Sequence, residues 1–161
     1  MFKYFLMLFF IGSSPFVIQA QDSMASFGIK GGLNITFFNV DQQNLGSYQT
    51  SETGFYAGVF VETPIDGFLA IQLDALYISV GDFNFMNVPL YAKYEVAHNL
   101  HLMAGPSFNY FFDFFTNKVK IGVDLSSSYT ITKSLDVHIK YALGIDELAP
   151  NGLFFGMGLK L

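Results

Sequence analysis

The stretch Leu135-Asp136-Val137-His138-Ile139-Lys140-Tyr141-Ala142-Leu143 alternates strictly, with apolar residues at odd positions and charged, polar or small ones at even positions. The rhythm resumes in Leu153, Phe155, Met157, Leu159 and Leu161, set against Gly156, Gly158 and Lys160. Successive side chains on an extended chain point to opposite faces. A period of two therefore makes a strand whose one face can touch hydrocarbon while the other holds charge.

Worked outward from this stretch, the same dyad recurs along most of the chain. Strand-like segments cover Ser26 to Phe38, Gly54 to Thr63, Phe68 to Ser79 and Phe85 to Val96, then a segment carrying Leu102, Ala104, Phe108 and Tyr110, then Lys118 to Tyr129. Turn chemistry separates them: Pro64-Ile65-Asp66-Gly67, Gly81-Asp82, Ala97-His98-Asn99 and Thr132-Lys133-Ser134. The polar run Val40 to Thr53 reads as a long loop, and Asp146 to Asn151 as an intermediate one. Pro89 conflicts locally with a strand, because proline cannot donate to a ladder; the wall must lose a bond there or use a bulge. An even strand count with short turns on one side and longer loops on the other predicts an all-β fold, an eight-stranded antiparallel up-and-down transmembrane β-barrel.

Composition agrees. Of 161 residues, 52% are hydrophobic and 18% aromatic, while only 13% are charged, against roughly 25% in ordinary soluble domains. Apolar surface must face something other than water. The net charge is −5 and every basic residue is Lys, so the bidentate base and phosphate contacts of Arg are missing and nucleic acid is excluded as a partner. The absence of Cys removes disulfides, thiolate catalysis and zinc-thiolate sites.

The charges decide which face is which. The predicted outer face carries none, whereas the inner parity holds Lys30, Glu62, Asp74, Lys93, Glu95, Lys120, Asp124, Asp136, His138, Lys140 and Lys160. A Lys on the lipid face near mid-bilayer costs about 2–4 kcal/mol, so this segregation favours a membrane barrel. On the outer parity, Tyr77, Tyr94, Tyr110, Tyr129 and Tyr141 fall towards strand ends, as aromatic girdles require. A soluble or periplasmic lipocalin-like carrier would invert the arrangement, with apolar residues lining a ligand cavity and charges in water. Its outer face should be dense in Lys and Glu, yet here the polar parity is diluted by Gly28, Gly32, Gly58, Gly105, Gly122, Gly144, Gly156 and Gly158.

The run Asn87-Val88-Pro89-Leu90-Tyr91-Ala92-Lys93-Tyr94, followed by Ala104-Gly105-Pro106-Ser107 and Tyr141-Ala142-Leu143-Gly144-Ile145, resembles the PorT-like outer membrane β-barrel family of Gram-negative bacteria. The likeness extends from about Phe27 to the C-terminus. It implies an eight-stranded barrel in the outer membrane, usually of unassigned activity, with one branch linked to gliding and protein secretion. One departure is the end of the chain, Gly158-Leu159-Lys160-Leu161, where such barrels commonly finish on an aromatic residue.

No catalytic, cofactor or metal site is predicted. His98 and His101 lie near Glu95 but lack further ligands and read as rim residues. His138 lies between Asp136 and Lys140, and with Ser126 or Ser128 could form an acid, base and nucleophile set, the basis of a third reading as a lipid A-modifying enzyme. A simpler account is that an eight-stranded barrel has room for side chains but no wide channel, so opposite charges pair in a plugged, hydrogen-bonded lumen. Residues 1–20, with Lys3, the apolar run Tyr4 to Ile11 and Ala20 before the cut, read as a signal peptide, leaving 21–161 as the barrel domain. The expected partners are outer-membrane lipid and envelope or secretion-system proteins, the latter through loops 40–53 and 146–151.

Overall fold

The computed structural model describes residues 25–42, 46–112, 118–145 and 149–161; the proposed signal peptide lies outside them. The chain forms β1 (Ser26–Gln42), β2 (Gly46–Pro64), β3 (Leu69–Val80), β4 (Phe83–Ala97), β5 (Leu100–Phe111), β6 (Val119–Thr130), β7 (Leu135–Gly144) and β8 (Asn151–Lys160). Each strand pairs antiparallel with the next, and β8 pairs with β1 to close the barrel. Closure leaves the wall without a free edge, the condition for a sheet to lie in hydrocarbon.

The register sets the tilt of the strands. Followed around the wall from Ser26, the register runs through Glu62, Gln72 and Tyr91, carries across the unpaired step of β4 and β5 to Gly105, continues through Asp124, Ala142 and Gly152, and returns to β1 at Thr36 rather than Ser26. Such stagger inclines strands to the barrel axis and fixes its girth. Pro89 is absorbed without a bulge. The ladder to β3 skips Asp74-Ala75 and the ladder to β5 skips Gly105-Pro106, and both resume in the same register. The one bulge of this pair lies elsewhere, between Glu95 and Ala97.

At the end that holds both termini, local side chains tie the turns. Asp66 Oδ1 accepts from the amides of Phe68 and Leu69 at 2.8 and 2.7 Å, and Thr132 Oγ1 accepts from Leu135 at 3.1 Å. Asn99 takes a left-handed φ of 65°, which Asn tolerates at a tight reversal.

The opposite end corrects the sequence reading. Val40 to Thr53 is not a loop: β1 continues to Gln42 and β2 starts at Gly46, in unbroken register from Ser26↔Glu62 to Gln42↔Gly46. Ser, Thr and Tyr suit a strand as well as they suit a loop, and cross-strand pairing decides between them. The second loop is shorter than expected as well, because Asn151 already belongs to β8; residues 146–148 lie outside the described ones.

The side chains obey the predicted parity. Phe27, Leu33, Phe55, Val59, Leu73, Leu90, Leu102, Phe108, Leu125 and Ile139 face outward, while the exposed charges Asp66, Asp82, Lys118 and Lys133 sit in turns or at strand ends. This is opposite to a soluble carrier. Tyr77, Tyr110 and Phe112 cluster at the loop end, with Phe112 5.5 Å from Tyr110 and 6.2 Å from Tyr77 between ring centres. Tyr94 and Tyr129 stand near the other end. Tyr141 departs from the girdle pattern: its neighbours are Leu125, in the middle of β6, and Leu153.

Candidate functional site, the barrel lumen

The end of the lumen near the termini is built from ions contributed by different strands. Glu62 of β2 receives Lys93 of β4 at 2.6 Å and Lys160 of β8 at 2.7 Å. Deeper in, Lys30 of β1 meets Asp74 of β3 at 2.9 Å, and Gln72 donates to the other carboxylate oxygen at 2.6 Å. Lys140 of β7 lies 3.1 Å from Asp124 of β6 and donates to Asn87 of β4 at 2.6 Å; Ser107 donates to Asp124 at 2.6 Å. Lys30, Asp74, Asp124 and Lys140 are all buried. A buried ion is tolerated only with a partner and further hydrogen bonds, and each of these four has both a counter-ion and a polar or aromatic neighbour. The lysines also lie over rings, Lys30 5.0 Å from the centre of Phe60 and Lys140 4.2 Å from that of Phe154.

A fourth group joins Asp136, His138 and Tyr56. Asp136 lies 3.3 Å from His138 Nδ1, and the Tyr56 hydroxyl 2.6 Å from Nε2. The carboxylate only accepts, so Nδ1 carries the proton that faces it, and Nε2 is left to the tyrosine. Glycines make the space. Gly156 pairs with His138 on one side and Gly32 on the other, and a Cβ on Gly156 would collide with the Tyr56 hydroxyl and the Gly31 carbonyl. Asp136 likewise lies over Gly158, 2.7 Å from where a Cβ would stand.

The two remaining inward residues, Glu95 and Lys120, are peripheral to these groups. Glu95 accepts from the Asn99 amide at 3.3 Å at the terminal rim, beside half-buried His101. Lys120 is half-buried near the loop end, opposite Asn109. His98 is exposed in its turn. No three His, Asp or Glu side chains converge as metal ligands among the described residues.

The serine set considered for His138 does not form. Ser126 donates to the Ile139 carbonyl at 2.9 Å, Ser128 Oγ is buried with no partner, and Tyr56 occupies the ring nitrogen that a serine would need.

The loop end of the lumen differs from the expected hydrogen-bonded plug. Tyr56, Leu76, Ile78, Val80, Phe85, Phe111 and Phe154 form one buried apolar cluster, with Phe38 and Ala142 packed against it. Phe85 stacks on Phe111 with centres 4.6 Å apart, and Tyr56 meets Phe154 edge-on at 5.3 Å. The described lumen is thus filled by ion pairs at one end and by packed rings at the other. Parity had already marked these residues as inward, but their composition gave no sign that they would gather into a layer.

The fold is that of small bacterial outer-membrane barrels. Neisserial surface protein A superimposes with a TM-score of 0.55 at 16% identity, covering 86% of this chain and 98% of that one. A de novo designed transmembrane β-barrel gives 0.54 at 15% identity over 89% and 98%. OprG of Pseudomonas aeruginosa gives 0.50 at 14% identity over 86% and 97%. No family model matches the sequence, and no curated protein matches it significantly. At these identities the likeness establishes architecture: a closed eight-stranded antiparallel barrel of the outer-membrane type.

Proposed function

We propose that residues 1–20 direct export and that the remainder inserts in the outer membrane of a Gram-negative bacterium, where it serves as a structural or interaction component and neither as an enzyme nor as an open pore. The observation that carries this reading is the filled lumen, with Lys30, Asp74, Asp124 and Lys140 paired at one level and Phe85, Phe111 and Phe154 packed at the next. A side chain that is already bonded across the barrel is poorly placed to line a channel or to turn over a substrate. The outer wall takes membrane lipid as its partner. The end opposite the termini, with 40–53 and 146–151, is the contact surface for envelope or secretion proteins, a role in keeping with the PorT-like resemblance.

The purified chain in planar bilayers should show no large ohmic steps, and on gels it should migrate differently before and after boiling. Steps of porin size would overturn the sealed-lumen reading. Recovery in the soluble periplasmic fraction would overturn the membrane reading.

A further inference from the structure

The wall is not level at the loop end. β8 accompanies β1 only as far as Phe37↔Asn151, and β3 accompanies β2 only from Gly54↔Val80, yet β1 and β2 remain paired up to Gln42↔Gly46. The β1–β2 ribbon therefore extends beyond the strands on either side of it, with Phe38 near its base still packed against Phe83 and the apolar layer. Its longer free side is β2 from Gly46 to Thr53, roughly 25 Å of backbone at about 3.4 Å per residue. No other described strand pairs with that edge.

We propose that this edge is a docking site for an extended segment of a different polypeptide, which adds to β2 as a third strand. The inference rests on the reading of this end as a contact surface and names the mode of contact. Alternate residues of Gly46–Thr53 present their amide and carbonyl away from β1, a row that only another extended backbone complements along its length. Proteins blunt such edges with Lys, Pro or bulges. The sequence Gly46-Ser47-Tyr48-Gln49-Thr50-Ser51-Glu52-Thr53 has neither Lys nor Pro, its pairing with β1 has no bulge, and its one charge, Glu52, lies at the base of the segment beside Gly81.

A second copy does not fit. Two copies in one membrane share an upward direction, so their β2 edges could meet only parallel and at one level. A two-fold axis along the membrane normal then sets each outward amide against its own symmetry mate.

The test uses the full chain in nanodiscs and, as probe, a blocked eight-residue peptide of alternating Thr and Val. With peptide, exchange of alternate amides in 46–53 should slow on the order of tenfold, while β3–β8 amides stay unchanged. Thr50→Pro and Ser51→Pro remove neighbouring amides that point to opposite sides. One should abolish the peptide effect with the ribbon intact, and the other should unpair the ribbon from β1. No slowing at millimolar peptide, slowing of every amide alike, or slowing that survives both prolines overturns the proposal. Self-association of the chain through 46–53 would overturn the choice of partner. If instead Tyr48→Ala or Gln49→Ala abolishes partner contact in cells while the peptide leaves the edge untouched, the end remains a contact surface and the strand-addition mode alone fails.

Discussion

The two ends of the lumen are closed by opposite physics. Towards the termini, Glu62 with Lys93 and Lys160, Lys30 with Asp74, and Lys140 with Asp124 fill the space through directional contacts, each dependent on a partner from another strand. Towards the loops, Leu76, Ile78, Val80, Phe85 and Phe111 fill it by packing, which tolerates imperfect direction but not lost volume. The difference teaches that the same inward parity can be satisfied in two ways. A missing partner is the weakness of one half, and a missing methyl group the weakness of the other.

The largest effect is expected where a charge is orphaned. Asp124→Leu leaves Lys140 buried with no counter-ion and should lower stability by about 3–5 kcal/mol in urea unfolding of the reconstituted chain. Adding Lys140→Leu should restore much of the loss; a double variant no better than the single would break the assignment of this pair. In the apolar half, Leu76→Ala removes volume without exposing an ion and should cost about 3 kcal/mol by the same measurement. A loss of well under about 1 kcal/mol would mean the layer collapses to fill the space.

Gly156→Ala tests the boundary between the halves. The added methyl displaces the Tyr56 hydroxyl, costs about 1–3 kcal/mol, and should shift the His138 ring resonances. Unmoved resonances would show that the strand yields instead. Tyr56→Phe keeps the edge-on contact with Phe154 and loses only the bond to His138, for about 1 kcal/mol. Lys160→Ala should matter least, below about 1 kcal/mol, because this lysine sits at the mouth with its side chain 31% exposed and Glu62 keeps Lys93.

The contrast between the halves also explains what the sequence disclosed. In β7, Asp136, His138 and Lys140 mark the inward parity unmistakably, and the strand could be oriented by sight. In β3 the segment Leu73-Asp74-Ala75-Leu76-Tyr77-Ile78-Ser79-Val80 carries no charge beyond Asp74, and its polar Ser79 falls on the outward parity, so only counting from Asp74 distinguishes outward Tyr77 from buried Ile78. The apolar layer was invisible for that reason. The Tyr56–His138 contact joins residues 82 apart in sequence and depends on register summed across several strands, which no local pattern encodes. The β1–β2 ribbon reads as a loop because its Asp41, Asn44, Gly46 and Ser47 carry turn chemistry, while the flanking polar residues are compatible with loop and strand alike.

The cross-lumen ion pairs have a consequence for assembly. Lys30 of β1 needs Asp74 of β3, Glu62 of β2 needs Lys93 of β4 and Lys160 of β8, and Lys140 of β7 reaches Asn87 of β4. A half-rolled sheet in the bilayer would present these ions to hydrocarbon unmatched, with an open hydrogen-bonding edge beside them. Neutralisation therefore advances as the sheet rolls: the β1–β3 and β2–β4 pairs meet as it curls, and the Lys160–Glu62 pair, which crosses the β1–β8 seam, forms only when first and last strands join.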